Sequence, residues 1–268
     1  KKSLVHLFVI TLTMINVAFS DNWPHWRGPT YNGISEEKDL PVDWSEQKNI
    51  IWKQELPGAS SATPVIWEDK IFLLAQELEQ VSLLCINTEG KVLWTAKVDN
   101  ANGKANGERT MASPSPSTDG KQVYTMTGNG EVVSFDYKGK EVWRFNAQDR
   151  YGRFRLGFGF HTTPVLHRSR LYLQLIHSGG AWVVSIDAAT GKEVWKAERK
   201  SDGVAECEHA YTSPCIWQKG STQQLITHGN DYAIGHRLSD GKELWRVAEL
   251  DPKDRYNRTL RFVSSPVA

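Results

Sequence analysis

"ATGKEVW", residues 189–195, reads alone as a glycine turn running into a strand. Near-copies stand at 88–94 (TEGKVLW), 137–143 (YKGKEVW) and 239–245 (SDGKELW). Their tryptophans, Trp94, Trp143, Trp195 and Trp245, are spaced by 49, 52 and 50 residues. A second marker, a hydroxyl residue followed by proline, ends at Pro64, Pro114, Pro164, Pro214 and Pro266, in steps of 50, 50, 50 and 52. Two markers sharing one period define an internal repeat of about 50 residues, the length of a propeller blade.

Each period holds four short apolar runs split by Gly, Asp, Asn or Lys. The first reads TPVIW, KIFLLAQ, VSLLCIN and KVLWTAKV. Such runs are strands, and no part of the chain after residue 20 sustains a 3.6-residue apolar period. A solenoid coil is usually shorter than this unit, and a sandwich would not repeat so regularly. The expected fold is therefore all-β: a β-propeller of four-stranded antiparallel blades. Blades are expected at 57–98, 112–147, 161–199 and 211–248, with a fifth beginning at 262. That count predicts part of a ring of seven or eight blades.

The repeated words acquire physical jobs. The proline lacks an N–H and suits the first residue of a strand. Gly90, Gly139, Gly191 and Gly241 supply a positive φ in the turn between the third and fourth strands. Each tryptophan then lies on the outer strand, where it can wedge between blades while its N–H finds a carbonyl next door. The 11 tryptophans in the chain suit such a rule.

Outside the repeats, residues 1–20 have a basic start, a short apolar run and a small-residue exit at Ala18-Phe19-Ser20, the pattern of a signal peptide. The competing reading is a membrane anchor, but the run is short of the ~20 apolar residues a span needs. The mature chain is expected to be exported, periplasmic or extracellular, without a transmembrane segment. Residues 21–56 form an opening segment, and Trp52 within "NIIWKQEL" marks a ring-closing outer strand. The net charge of +1 gives no support to a nucleic-acid partner. Cys207 and Cys215 are eight residues apart, roughly 26 Å if extended at ~3.3 Å per residue, so no disulfide is expected.

The stretch "IDAATGKEVW" (186–195) resembles the tryptophan-docking motif of the pyrroloquinoline-quinone (PQQ) type propeller repeat. Members of that superfamily include quinoprotein alcohol dehydrogenases and outer-membrane barrel assembly lipoproteins. "NWPHWRGPTYNGIS" (22–35) is similar to the start of secreted bacterial members, and the resemblance extends over 22–268. It departs from the motif at Asn87, where Asp is usual, and at His236 in the fourth unit.

Function must come from sites rather than from the fold. The loops preceding each Ser/Thr-Pro are the longest and most polar, and in propellers they gather at one channel mouth. Arg109, His161, Glu208, His209 and Arg261 are the resulting candidates for binding a protein or a small anionic ligand. Two of these loops share Asp-Arg-Tyr-x-Arg, at 149–153 and 254–258. The arginines could form a cationic funnel with forked contacts to an anion, or simply pair with carboxylates across loops. "ECEHAY" (206–211), read as a strand, would place alternate side chains on opposite faces, so no metal site is expected there. The resemblance implies PQQ with calcium, a carboxylate base and, in many enzyme members, adjacent cysteines. No adjacent cysteine pair stands here. The leading expectation is a noncatalytic binding scaffold; the alternative is a PQQ-dependent oxidoreductase acting on alcohols or sugars.

Overall fold

The computed structural model describes residues 21–101, 105, 109–156 and 159–268; the expected signal peptide at 1–20 lies outside them. Four antiparallel four-stranded sheets follow one another. The first is β1 (Val65–Trp67), β2 (Lys70–Glu77), β3 (Gln80–Asn87) and β4 (Val92–Asn100). The second is β5 (Ser117–Thr118), β6 (Gln122–Met126), β7 (Glu131–Asp136) and β8 (Glu141–Asn146), followed by a one-turn helix α1 (Ala147–Tyr151). The third is β9 (Val165–His167), β10 (Arg170–His177), β11 (Gly180–Asp187) and β12 (Glu193–Glu198). The fourth is β13 (Cys215–Lys219), β14 (Thr222–Gly229), β15 (Tyr232–Arg237) and β16 (Glu243–Val247). This is the expected propeller architecture.

The middle strands are buried on both faces, while the outer strand shows alternating exposure. Apolar clusters sit between blades. One joins Val123, Val133 and Phe135 to Phe72, Leu74 and Leu83; another joins Tyr124, Val132 and Phe145 to Leu171, Leu173 and Val184. No blade encloses a core of its own, which is why each needs its neighbour.

The tryptophan joints have one geometry. Indole N–H groups donate from Trp52 to Thr88 O (2.8 Å), Trp94 to Tyr137 O (3.0 Å), Trp143 to Ala188 O (2.9 Å) and Trp195 to Leu238 O (3.0 Å). Each indole covers the turn glycine of the next blade. A Cβ on Gly90, Gly139, Gly191 or Gly241 would lie 2.6–2.9 Å from a ring atom, and each of these glycines has a positive φ. A β-bulge shared by all four blades aims the ring. The ladder shifts register so that Leu93, Val142, Val194 and Leu244 are the extra residues before each Trp. That extra residue turns outward, 42–46% exposed, and Trp94, Trp143 and Trp195 turn in.

Three sequence expectations change. Trp245 docks on no following blade among the described residues: its N–H bonds Gln224 Oε1 of its own blade at 2.7 Å, over Gly235, and the ring stays 38% exposed. Residues 49–56 belong to no strand, although Trp52 fills a docking position. In the second unit Pro116, not Pro114, precedes the inner strand, because the chain there reads Ser-Pro-Ser-Pro. A relay of hydrogen bonds fixes that register. Thr63 N donates to Ser115 Oγ (2.9 Å), Ser115 N to Thr163 Oγ1 (2.9 Å), Thr163 N to Ser213 Oγ (2.9 Å) and Ser213 N to Ser265 Oγ (2.8 Å). The hydroxyl before each proline therefore serves the backbone of the preceding blade.

Candidate functional site

The two ends of this arc differ. Inner strands start, and the second-to-third-strand hairpins turn, at the end carrying the long loops, here the mouth. The Gly turns and docked tryptophans lie at the opposite end, the base.

At the base the opening segment folds onto the inner strands. Trp23 exchanges two backbone hydrogen bonds with Ile66 of β1, both 2.9 Å, and Thr118 N of β5 donates to Pro24 O at 3.0 Å. The Tyr31 hydroxyl donates to Leu166 O of β9 at 2.8 Å, and Arg27 donates to the carbonyls of Ser265 and Pro266. Residues 23–31 thus fill space on the free edge of the inner strands across three blades. Burial holds the His25 imidazole down at about 3, with Arg27 adding to the effect, so it is neutral at ordinary pH. Sequence reading missed this plug; its signal was the aromatic and Gly/Pro content of "WPHWRGPTY".

At the mouth the five candidates separate. Glu208 lines a cleft of about 370 Å³ between the third and fourth blades, with His177, Glu198, Arg199, Lys200 and Asn230. His161 and His209 both approach Tyr211, with ring centroids 6.3 and 6.5 Å away. Arg261 is exposed and pairs with Glu206 at 2.9 Å, so it binds a neighbouring loop's carboxylate. Arg109 is exposed beside Thr110, whose hydroxyl donates to Gln76 Oε1 of the first blade at 3.0 Å. The structure therefore gathers His161, Glu208 and His209 near one joint, and ties Arg261 into the adjoining loops. "ECEHAY" is also not a strand: Ala205–Glu208 is a 3-10 turn, which buries Cys207 and leaves Glu206 and Glu208 partly exposed.

The cleft floor is Arg199, fully buried. Its Nε donates to Thr227 Oγ1 at 2.9 Å, its Nη2 to Tyr232 O at 2.5 Å, and its Nη1 to Asn230 Oδ1. Burial lowers its pKa to about 9, with Arg246 opposing the charge and Glu243 favouring it, so it remains a cation near neutrality. Thr227 in turn contacts His236 Nε2 at 3.0 Å, and His236 Nδ1 donates to Gly241 O at 3.2 Å. Arg199, Thr227 and His236 form a polar chain from the mouth to the turn under Trp195. His177 and His236 are each held down at about 4, mainly by burial.

Arg199 was findable. It stands four residues after Trp195, where the first two units carry the buried apolar residues Val98 and Ala147. A charge in an apolar slot of a repeat is visible once units are aligned.

A PQQ–calcium centre would need carboxylates and carbonyls converging at the channel, beside a flat stacking surface. Among the described residues no group of three His, Cys, Asp or Glu ligand atoms converges on the inner strands. Cys85, Cys207 and Cys215 are isolated from one another in sequence, all buried. Among the described residues the one cluster of three metal-type ligands is Cys207, Asp231 and Asp251, which lies off the inner strands, under the loops of the fourth blade.

A family model described as outer membrane protein assembly factor BamB matches residues 34–144 and 128–267. No curated protein matches the chain in sequence comparison. Among solved structures, a quinohemoprotein alcohol dehydrogenase from Comamonas testosteroni superposes with a TM-score of 0.61 at 14% identity, over 85% of this chain and 41% of its own. A europium-containing methanol dehydrogenase gives a TM-score of 0.61 at 12% identity, over 85% and 48%. BamB from Moraxella catarrhalis gives 0.48 at 17% identity, over 74% and 51%. The chain spans less than half the length of the two dehydrogenases. At these identities the likeness is one of fold.

Proposed function

The chain belongs to the PQQ-type repeat family described by the outer membrane protein assembly factor BamB, and on that premise we propose that it is an exported, noncatalytic propeller that binds a partner protein at its mouth loops. The observation that carries this reading is the contrast between the two ends. The base is occupied by the chain's own residues 23–31, pinned to three inner strands. That segment leaves a cavity of about 210 Å³ at the base, whereas the mouth presents a larger open cleft, about 370 Å³, of mixed charge, with Glu208, Lys200 and Glu198 at its rim and Arg199 as its floor. A family named for an assembly factor agrees with a binding role, and the dehydrogenase likeness rests on fold alone. His161, His209, Arg109 and Arg261 would extend the same surface, with a small anionic ligand as a narrower occupant. No helix of the described residues is long and apolar enough to cross a membrane; we place the mature chain in the periplasm or outside the cell from the pattern of residues 1–20.

A photocrosslinker placed in turn at Glu208, Arg261 and the base residue Lys219 tests the surface in the producing cell. Protein adducts are expected from the first two positions and not from the third. Adducts from Lys219 alone would overturn the assignment. Reduction of a dye by the purified chain with PQQ, Ca²⁺ and an alcohol would overturn the noncatalytic reading.

A further inference from the structure

Under the mouth loops of the fourth blade three segments meet. Cys207 comes from the 3-10 turn Ala205–Glu208, Asp231 from the β14–β15 hairpin and Asp251 from the loop after β16. All three are buried, and one ligand atom from each lies within 4.8 Å of the others.

One carboxylate oxygen of the pocket, Asp231 Oδ1, lacks a donor. Cys207 Sγ lies 3.4 Å from Asn257 O, 3.6 Å from Asp251 Oδ2 and 3.6 Å from Leu260 O. The thiol has one proton for those three acceptors; Asp251 Oδ2 also accepts from Asn257 N (2.9 Å) and Asn257 O from Leu260 N (2.9 Å). Asp231 is wholly buried. Its Oδ2 accepts from the Tyr256 hydroxyl at 2.6 Å and from Lys253 Nζ at 3.4 Å. Its Oδ1 is buried with no hydrogen-bond partner. A buried carboxylate oxygen without a partner is costly, and removing that cost requires a donor or a cation.

We propose that this pocket is a structural site for one divalent cation of the zinc class, ligated by Cys207 Sγ and the carboxylates of Asp231 and Asp251. The backbone carbonyl of Leu260 or Asn257 completes the set. Charge closes on this assignment. Two carboxylates and a thiolate carry three negative charges, Lys253 returns one positive charge, and a divalent ion supplies the other two. The 3.6 Å between Cys207 Sγ and Asp251 Oδ2 also fits. With zinc–sulfur bonds of about 2.3 Å and zinc–oxygen bonds of about 2.1 Å, tetrahedral sulfur and oxygen ligands stand roughly 3.6 Å apart. The sulfur donor selects the zinc class over calcium, which takes oxygen ligands. On binding, the Cys207 S–H bond breaks, its proton leaves to solvent and the sulfur–metal bond forms. The ion would clamp the two loops that carry Glu208, His209 and Arg261 to the hairpin that carries Asn230.

Co²⁺ added to the purified, metal-stripped full chain is the direct probe. One ion per chain is expected, with a near-ultraviolet sulfur-to-cobalt charge-transfer band and the visible bands of a tetrahedral ion. Zn²⁺ should displace it, and excess Ca²⁺ should not. C207S should abolish the charge-transfer band, and C215S should leave it intact. D231N should weaken binding at least tenfold, and Y256F, which removes the hydroxyl bonded to Asp231, by about 10–100-fold. No band in the wild-type chain, a band that survives C207S, or displacement by Ca²⁺ would each overturn the site. If C207S does not fold by circular dichroism, the wild-type spectrum and stoichiometry decide.

Discussion

The base and the mouth of this arc are built by opposite rules. At the base one joint is written three times in full, as a glycine turn, a bulge and a tryptophan covering the next blade's glycine, and Trp52 docks in the same way without a strand of its own. At the mouth the hydroxyl relay before each proline repeats, but the contacts of the described loops beyond it differ from blade to blade. There Arg199 is buried, Glu206 holds Arg261, and Cys207 meets two aspartates from other segments. The base carries the stability common to all blades. The mouth is where the units are free to differ, and so where a particular binding surface can arise.

The largest effect should separate a docked tryptophan from an undocked one. Trp143→Ala removes an interblade wedge together with its bond to Ala188, and should cost about 3 kcal/mol. Trp245→Ala should cost less than about 1 kcal/mol, because its ring lies half in solvent. Urea melts of the two variants compare them, and equal losses would break the distinction drawn between the joints.

The glycine under the wedge comes next. Gly191 has a φ of +68°, and a Cβ there would lie 2.7 Å from the Trp143 ring. Gly191→Ala combines left-handed strain with overpacking and should cost about 3 kcal/mol. Gly33→Ala, at φ +78° with nothing within 4 Å, should cost only about 1 kcal/mol. Thermal denaturation of both isolates the contact from the strain.

A smaller test asks which serine of the doublet carries the relay. Ser115→Ala leaves Thr63 N–H without its acceptor and should cost about 1–3 kcal/mol. Ser113→Ala removes a single bond to Thr110 O and should cost about 1 kcal/mol. A reversal of that order would return the register to Pro114.

The smallest effect, taken per pH unit, concerns the buried histidines. His177 and His236 titrate near 4 in the fold and near 6.5 when unfolded. Between those values the unfolded chain binds more protons. Stability is therefore full above about pH 6.5 and falls as pH drops toward 4, by up to about 1.4 kcal/mol per unit for each group. His236→Gln should flatten part of that slope in urea melts followed across pH. An unchanged slope would remove His236 from the acid response.

The regular part of this molecule was legible in the chain because local rules repeat. Gly191 and Trp195 announce a turn and a wedge by their types and spacing, and the same words at Gly90, Gly139 and Gly241 multiply the signal. The bulge that aims each Trp hides in the same words, since two residues between Lys and Trp are one more than plain alternation requires. The second Ser-Pro could not be resolved from the chain, because either serine satisfies the local rule and only the bond from Thr63 chooses Ser115. Among the site candidates, Glu208 was placed by its loop. Arg199 shows only when the units are aligned, as a charge in an apolar slot, and His177 is not legible because burial, not residue type, makes it part of the cleft.

The sequence by itself determined the blade: its four strands, its turn, its period and the residue that seals it. These follow from hydrophobic alternation and backbone sterics, which act over a few residues. Tertiary structure alone decided what stands together at the two ends. It folded residues 23–31 against three inner strands, and it brought Cys207, Asp231 and Asp251 into one buried pocket from positions up to 44 residues apart. Contacts between distant segments depend on where whole blades sit, and no local pattern carries that information.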